Sequence, residues 1–591
     1  MNKFARIAQG PIPRAKEKPE PKALRQETQA PFAEKTDFGN RALYELLSES
    51  ARKHADQTCI YYNGKKMTYR EVDEESSKFA SALVSMGLNK GDRVALVLPN
   101  TPQFVISYYG TLKAGGIVVA CSLLYKPHEL EHQLKDSGAK IVVATKDIVK
   151  EKTKRGGATV KTENDLFSSV KLSTENIGIS NVIATSVTDY LPSIKRHLSR
   201  FAGIRNVERE GTTDFVKLIR GSKPIESPAE VNSRDDIALL QYTGGTTGIS
   251  KAAMLTHYNL YSNAAYTSLS FPMTKDDVSL CVLPLYHIYG MTATMNSAIY
   301  SGAKLVLLPK FHVEEVMKTI QDQKVTLFCA VPAIYIAIIN NPKAEKFDMH
   351  SVRLCMSGGA GLPAAVRDKF MKMTGGNLVE GYGLSEASPV THCNPLHGGS
   401  VKESSIGLAV TETEAKVVDI DDHSITLRPG EVGELAVKGP QVMKGYWNNP
   451  SETQRVLKDG WLFTGDIAKM DDEGYFYIVD RKKDMINVGG LKVYPREVEE
   501  VLFKHSAIKE AAAIAIPDSF SGEVVKAFVV LKDPGDKITE KEVIAYCSTM
   551  LAKYKVPKQV EFVDELPKTL IGKVLRRELK EKEQASQQGQ P

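Results

Sequence analysis

Residues 242–251 read YTGGTTGISK and continue as AAMLTH to His257. Gly244, Gly245 and Gly248 let successive backbone N–H groups turn toward one point, and such a concavity attracts an anion. Thr243, Thr246 and Thr247 add hydroxyl donors, and Lys251 adds a charge on a flexible stem. The apolar run 237–240 leads in, and a helix-compatible segment from Leu255 follows. Most Gly/Thr runs are plain turns. This one reads as a phosphate cradle whose hydroxyls could also orient a Mg²⁺-bound phosphate. It is not the GxxxxGK[ST] loop, because the lysine falls three residues beyond Gly248.

Outward from that stretch, short apolar runs alternate with helical periodicity. DRVALVLPN, GGIVVACSLL and AKIVVATKD lie upstream; SLCVLPL, AKLVLLP, VTLFCAVP and VRLCMSGG lie downstream. Alternation of this kind predicts an α/β fold with mostly parallel sheets. Residues 38–54 and 72–88 have helical spacing, and CIYYNGKKMTYREV carries the Asn-Gly signal of a hairpin. Between 401 and 480 the pattern changes to short strands with Gly and Pro turns, which predicts a small β annex. DRKKDMINVGG, from Asp480, marks a boundary. Beyond it, VYPREVEEVLFKHSAI is a helix with Pro495 in its first turn, where a missing N–H costs nothing. Two strands, a helix and a further strand follow. The expected layout is a flexible N-terminal arm (1–36), a large α/β domain (37–480), a small α+β C-terminal domain (481–580) and a frayed tail (581–591).

A chain of 591 residues exceeds one hydrophobic core. A net charge of +6 over that length implies no nucleic-acid partner, and no DNA- or RNA-reading pattern is present. Seven cysteines, odd in number and widely spaced, read as buried thiols in a reducing compartment. The amino terminus is Pro- and Lys-rich without an apolar core, unlike a signal peptide. No stretch is apolar for long enough to span a bilayer. The expectation is a cytoplasmic protein, with peripheral contact at the inner face of the membrane as the alternative. That alternative rests on SVTDYLPSIKRHLSRFAG, where Leu191, Ile194, Leu198 and Phe201 share helical spacing among Lys195, Arg196, His197 and Arg200. Packing of this stripe on its own domain is the expected arrangement.

Taken together, YTGGTTGISKAAMLTH, SGGAGLP, GYGLSE, WLFTGD, DRKKDMINVGG and PKTLIGKVLRR resemble the adenylate-forming superfamily of acyl-CoA synthetases, luciferases and peptide-synthetase adenylation domains. The resemblance spans about residues 40–580 and is greatest to fatty acyl-CoA synthetases. It implies a first step in which a carboxylate attacks the α-phosphorus of ATP, and a second in which CoA displaces AMP. It also implies a mobile C-terminal domain that turns about a hinge between the two. Fatty acid, ATP and CoA are the implied partners, Mg²⁺ the implied metal, and a monomer or homodimer the implied state. The insertion around 186–200 resembles that of medium- and long-chain enzymes, which favours a long-chain acid. Medium-chain or aryl acid–CoA ligases, a carrier-protein-loading ligase and a luciferase-like oxidase share the first half-reaction. A non-catalytic binding protein of the same fold should have lost Lys573, Glu386 or Asp466, and all three are present. Residues 581–591 hold no GxxS-type serine context, which disfavours a peptide-synthetase module.

By the same resemblance, Thr243, Gly244, Gly245, Thr246, Thr247 and Gly248 form the phosphate loop, with Lys251 on its rim. Gly359 and Ala360 lie beside adenine. In Gly381-Tyr382-Gly383-Leu384-Ser385-Glu386, Tyr382 stacks on adenine, Ser385 keeps the usual hydroxyl and Glu386 binds the metal. Asp466 accepts both ribose hydroxyls, and Arg481 reaches the ribose. Lys483 is the hinge. Gly489 and Gly490 lie near the entering pantetheine arm. Lys573 offsets charge on the transition state, and His287 sits near the acyl and phosphate groups. Candidates for lining the acyl channel are Val331, Pro332, Ile334, Tyr335, Tyr289 and Gly290.

Overall fold

The structure is a computed structural model describing residues 32, 34–155, 158–199, 204–207, 209–243, 250–396, 399–518, 520–533, 535–568 and 574–588. Two large sheets dominate it. The first runs, by residue range, 213–214, 181–185, 139–145, 93–97, 117–120, Ile237–Thr243 (β1), Lys251–Thr256 (β2) and 445–446. It is parallel as far as β1, after which β2 and the last strand pair antiparallel. The second has a parallel centre that ends with Asn377–Gly383 (β3), flanked by antiparallel edges. Strands sheltered on both faces read as unbroken apolar runs, which is why 93–97, 117–120 and 327–330 were legible without alternation.

Local chemistry places the ends. Asn63 and Gly64 take φ +48° and +98°, the left-handed pair that a two-residue hairpin needs, so the CIYYNGKK expectation holds. Thr68 and Glu71 form a reciprocal capping box at the start of the helix Tyr69–Ser85. The segment after the Gly/Thr loop is not helical from Leu255. It is β2, antiparallel to β1 with Thr243 opposite Lys251, and the helix starts only at His257.

A five-stranded antiparallel annex contains Trp461–Met470 (β4) and Phe476–Arg481 (β5), as the turn-rich sequence implied. A small α+β domain follows. The helix Pro495–Phe503 (α1) carries Pro495 at its first position, and its apolar face packs on Ile508–Asp518 (β6) and Gly522–Leu531 (β7). Arg576–Gln588 is a helix (α2), so the expected frayed tail is ordered through 588. The reason is electrostatic as well as apolar: buried Glu583 meets Lys526 of β7 at 2.5 Å, and Leu579 enters the core. Most of the expected arm lies outside the described residues. At its end, Thr36 exchanges backbone hydrogen bonds with the Tyr266 hydroxyl.

All seven cysteines are buried free thiols. Among the described residues no helix is long and apolar enough to cross a membrane. The basic stripe departs from expectation. Its helix covers only Ser193–Leu198, with Ile194 77% and Leu198 55% exposed, while Leu191 alone packs toward the core. Pro192 stands at the N-cap, and none of the helix's own six residues is buried. Phe201 lies outside the described residues.

Candidate active site

Ligands of α/β sheets are ordinarily held at the carboxyl ends of the strands, here the ends of β1 in the first sheet and of β3 and the strand 354–357 in the second. Thr243 ends β1, and its hydroxyl donates to the Lys251 carbonyl at 3.5 Å. Gly244, Gly245, Thr246, Thr247 and Gly248 lie outside the described residues; what is described is the pair of stems that the loop joins, a β-hairpin and not a strand–helix turn. Gly359 and Ala360 are exposed just past the strand 354–357.

Two hydroxyl–carboxylate bonds organise this face. The Tyr382 hydroxyl, on β3, donates to Asp466 Oδ2 at 2.6 Å. The other Asp466 oxygen meets Arg481 Nε at 3.1 Å. Asp466 and Arg481 are cross-strand partners on β4 and β5, so strand register brings them together. Asp466 is almost fully buried, and burial followed by the Asp466 charge drives the Tyr382 hydroxyl well above its ordinary pKa. Gly383 cannot be larger: a Cβ there would stand 2.1 Å from the Pro389 carbonyl oxygen. It ends β3 where the chain folds back toward Ser385 and Glu386.

The second bond joins the Tyr446 hydroxyl to Glu386 Oε1 at 2.8 Å. Tyr446 belongs to the short edge strand paired with β2, opposite Ala253, and so reaches across from the loop's second stem. Glu386 sits in the one-turn helix Ser385–Ala387, whose position is fixed when its carbonyl accepts Met443 N–H at 2.8 Å. Lys251 Nζ lies 5.6 Å from the Tyr446 ring centroid and ion-pairs with Glu452 at 2.5 Å. Arg455 and then Lys251 hold the Glu452 carboxyl down at about 2. Thr243, Lys251, Tyr446 and Glu386 thus form one chain of contacts.

The remaining candidates are more dispersed. His287 is half-buried, and its Nδ1 accepts the Tyr289 N–H at 3.2 Å. Its neighbour Tyr286 accepts the Gln241 side chain of β1 through its carbonyl at 3.3 Å, which sets this segment beside the loop's first stem. Tyr289 and Tyr335 are buried and both donate to the Met356 carbonyl, while Gly290 begins a π-helical turn. Lys483 is exposed in the single turn Lys482–Asp484 directly after β5. Gly489 and Gly490, at φ +59° and +87°, make the two-residue turn between strands 486–488 and 491–493. Their immediate need for glycine is therefore that turn. Lys573 lies outside the described residues. Its flanks are described: Lys568 and Val574 pair across the loop that contains it, and Leu575 N–H donates to the Pro567 carbonyl at 2.8 Å.

Among the described residues no three His, Cys, Asp or Glu side chains gather as a metal cage. Glu386 supplies carboxylate oxygens, one of them met by the Tyr446 hydroxyl. It suits a hard divalent cation that takes its other ligands from phosphate and water.

Residues 47–447 match the model for the AMP-binding enzyme family, and residues 497–573 match that for the AMP-binding enzyme C-terminal domain. The chain belongs to the AMP-binding enzyme family. It is 45% identical over 552 residues to a long-chain-fatty-acid–CoA ligase of Bacillus subtilis (strain 168), covering 92% of this chain and 95% of that protein. A long-chain-fatty-acid–CoA ligase of Salmonella typhimurium is 41% identical over 555 residues, covering 92% and 94%. The crystal structure of ATP-bound MatB from Rhodopseudomonas palustris matches with a TM-score of 0.79 and 29% identity, over 92% of this chain and 99% of that one.

Two members of this AMP-binding enzyme's site escaped the sequence reading. Tyr446 sits in KGYWNNP, which reads as an annex turn, and only the β2 pairing brings it to Glu386. Glu452 reads as an ordinary first-turn acid after the Asn449 cap, and its contact with Lys251 spans 201 residues of sequence. The run GYWNNPSE, with its aromatic pair next to a helix cap, was the available signal.

Proposed function

We propose that this chain is a long-chain fatty acid–CoA ligase that forms AMP. The observation that carries the reading is the paired arrangement of Tyr382 with Asp466 and Tyr446 with Glu386 at the carboxyl ends of the sheets. The first half-reaction brings two anions together, the acid being ionised already, so it needs cations and hydrogen-bond donors and no general base. The Tyr382 ring is the platform for adenine. The two oxygens of Asp466, now met by Tyr382 and Arg481, are acceptors of the number that a vicinal diol requires. Thr243 and the loop Gly244, Gly245, Thr246, Thr247 and Gly248 receive the phosphates, with Lys251 on the rim. Mg²⁺, held by Glu386, would neutralise phosphate charge when bound.

Lys573 supplies the ammonium that meets charge growing at the α-phosphorus, an interaction stronger in the transition state than in the ground state. It is carried by the C-terminal domain, which turns about Lys483 so that CoA can enter for the second half-reaction, near Gly489 and Gly490. His287 faces the acyl and phosphate groups from the segment beside β1. The buried tyrosines and Ile334 shape the acyl channel, where each CH₂ contributes about 0.8 kcal/mol. We place the enzyme in the cytoplasm as a monomer or homodimer. The exposed Ile194 and Leu198, beside basic Lys195 and His197, support peripheral contact with the inner face of an anionic membrane.

The test is pyrophosphate release from ATP across acids from acetate through octanoate to stearate, with benzoate and coumarate alongside. Activity rising toward the longest acids is expected. A maximum on acetate or an aryl acid would overturn the substrate assignment.

A further inference from the structure

Arg576, three residues past Lys573, opens α2 and does not point to solvent; its side chain is 18% exposed. Nη2 lies 2.8 Å from each oxygen of Glu499, and Nε lies 3.2 Å from Oε1. Nη1 reaches Asp484 Oδ2 at 3.2 Å and stands 4.0 Å from Asp480 Oδ1. The three acids come from different parts of the chain. Glu499 belongs to α1 and also accepts the Ala513 N–H of β6. Asp484 belongs to the turn that follows β5, and Asp480 to β5 itself, where its other oxygen accepts the Arg496 N–H at the start of α1.

An exposed ion pair contributes little. A bidentate pair with both partners largely withdrawn from water is different: it fixes orientation, and removing the cation strands the carboxylates. The loop that ends at Val574 is also anchored at its entry, where Lys568 pairs with Glu510 of β6 at 2.6 Å. Its entry is thus tied to the small domain's sheet. Its exit is tied through Arg576 to α1, to the turn after β5 and to the annex.

We propose that Arg576 is a positioning residue for acyl-adenylate formation: it ties the start of α2 to Glu499, Asp484 and Asp480, and so sets the orientation in which the small domain meets the annex for that step. The proposal rests on the role given to Lys573 above. It requires that Arg576 act through that lysine and that the thioester step, which does not use the lysine, be spared.

The experiment uses the full chain with the two half-reactions measured separately: pyrophosphate release from ATP and palmitate, and thioester formation from supplied palmitoyl-adenylate and CoA. Arg576→Gln should slow the first about a hundredfold, the scale of a displaced catalytic group. It should leave the second within about twofold. Arg576→Lys, which keeps the charge and loses the fork, should fall between. Combining Arg576→Gln with Lys573→Ala should be no slower than Lys573→Ala alone. Wild-type pyrophosphate release in R576Q beside a crippled K573A would overturn the proposal and leave the lysine's role standing. So would equal loss of both half-reactions in R576K, or a loss in R576Q that compounds with K573A. Normal pyrophosphate release by K573A would overturn the lysine's role itself, and this proposal with it.

Discussion

The nucleotide face and the domain junction are both built on carboxylates, and they are held in opposite ways. On the face, Asp466 and Glu386 are each met by a tyrosine hydroxyl, at 2.6 and 2.8 Å. At the junction, Glu499, Asp484 and Asp480 converge on one guanidinium. A hydroxyl donor is easily exchanged for another hydroxyl, so the carboxylates of the face stay aimed while their donors remain exchangeable, as the proposed binding of a ribose diol and a hydrated metal requires. A buried forked cation is costly to displace, so this arrangement holds one orientation of the small domain, and turning about Lys483 would first break the Arg576–Asp480 contact. The contrast matches what the proposed chemistry asks of each region: turnover of ligands at one, a defined domain orientation at the other.

Substitutions that convert one kind of anchoring into the other break the contrast. Asp466→Asn keeps the shape and removes the charge that both ribose hydroxyls would use. KM for ATP should rise about 10- to 100-fold, the worth of hydrogen bonds to a charged group. Steady-state titration of ATP checks it, and a KM within about twofold of wild type would remove Asp466 from the nucleotide site. Tyr446→Phe is milder, because it deletes a single hydroxyl and leaves Glu386 in its turn. A loss of about fivefold to tenfold in kcat is expected, with more Mg²⁺ needed for half-maximal rate. An unchanged Mg²⁺ dependence would mean that Tyr446 does not orient Glu386.

How much of this was legible in the sequence varied with the range of the interaction. Local signals carried well. The Asn63-Gly64 hairpin, Pro495 at the head of α1 and the apolar runs of the parallel strands stand where their chemistry put them. The GYGLSE and TGD motifs announced Tyr382, Glu386 and Asp466, and the structure brings Tyr382 and Asp466 into contact. Readings that depended on distant partners failed. The helix read from Leu255 starts two residues later, because Leu255 and Thr256 still belong to β2 alongside β1. KEKEQASQQ reads as solvated tail until Lys526, on another element, meets Glu583. Tyr446, Glu452 and Arg576 acquire their roles only through pairings across 60, 201 and 77 residues of sequence. The exposed Ile194 and Leu198 show the reverse case, an amphipathic spacing that is left uncovered among the described residues.

The most direct test of the nucleotide assignment is a crystal structure of the full chain with ATP bound. The expected result has adenine on the Tyr382 ring, the ribose hydroxyls on Asp466 in place of the tyrosine hydroxyl, and the phosphates between Thr243 and Glu386. ATP seated elsewhere, with the Tyr382–Asp466 and Tyr446–Glu386 bonds both intact, would contradict it.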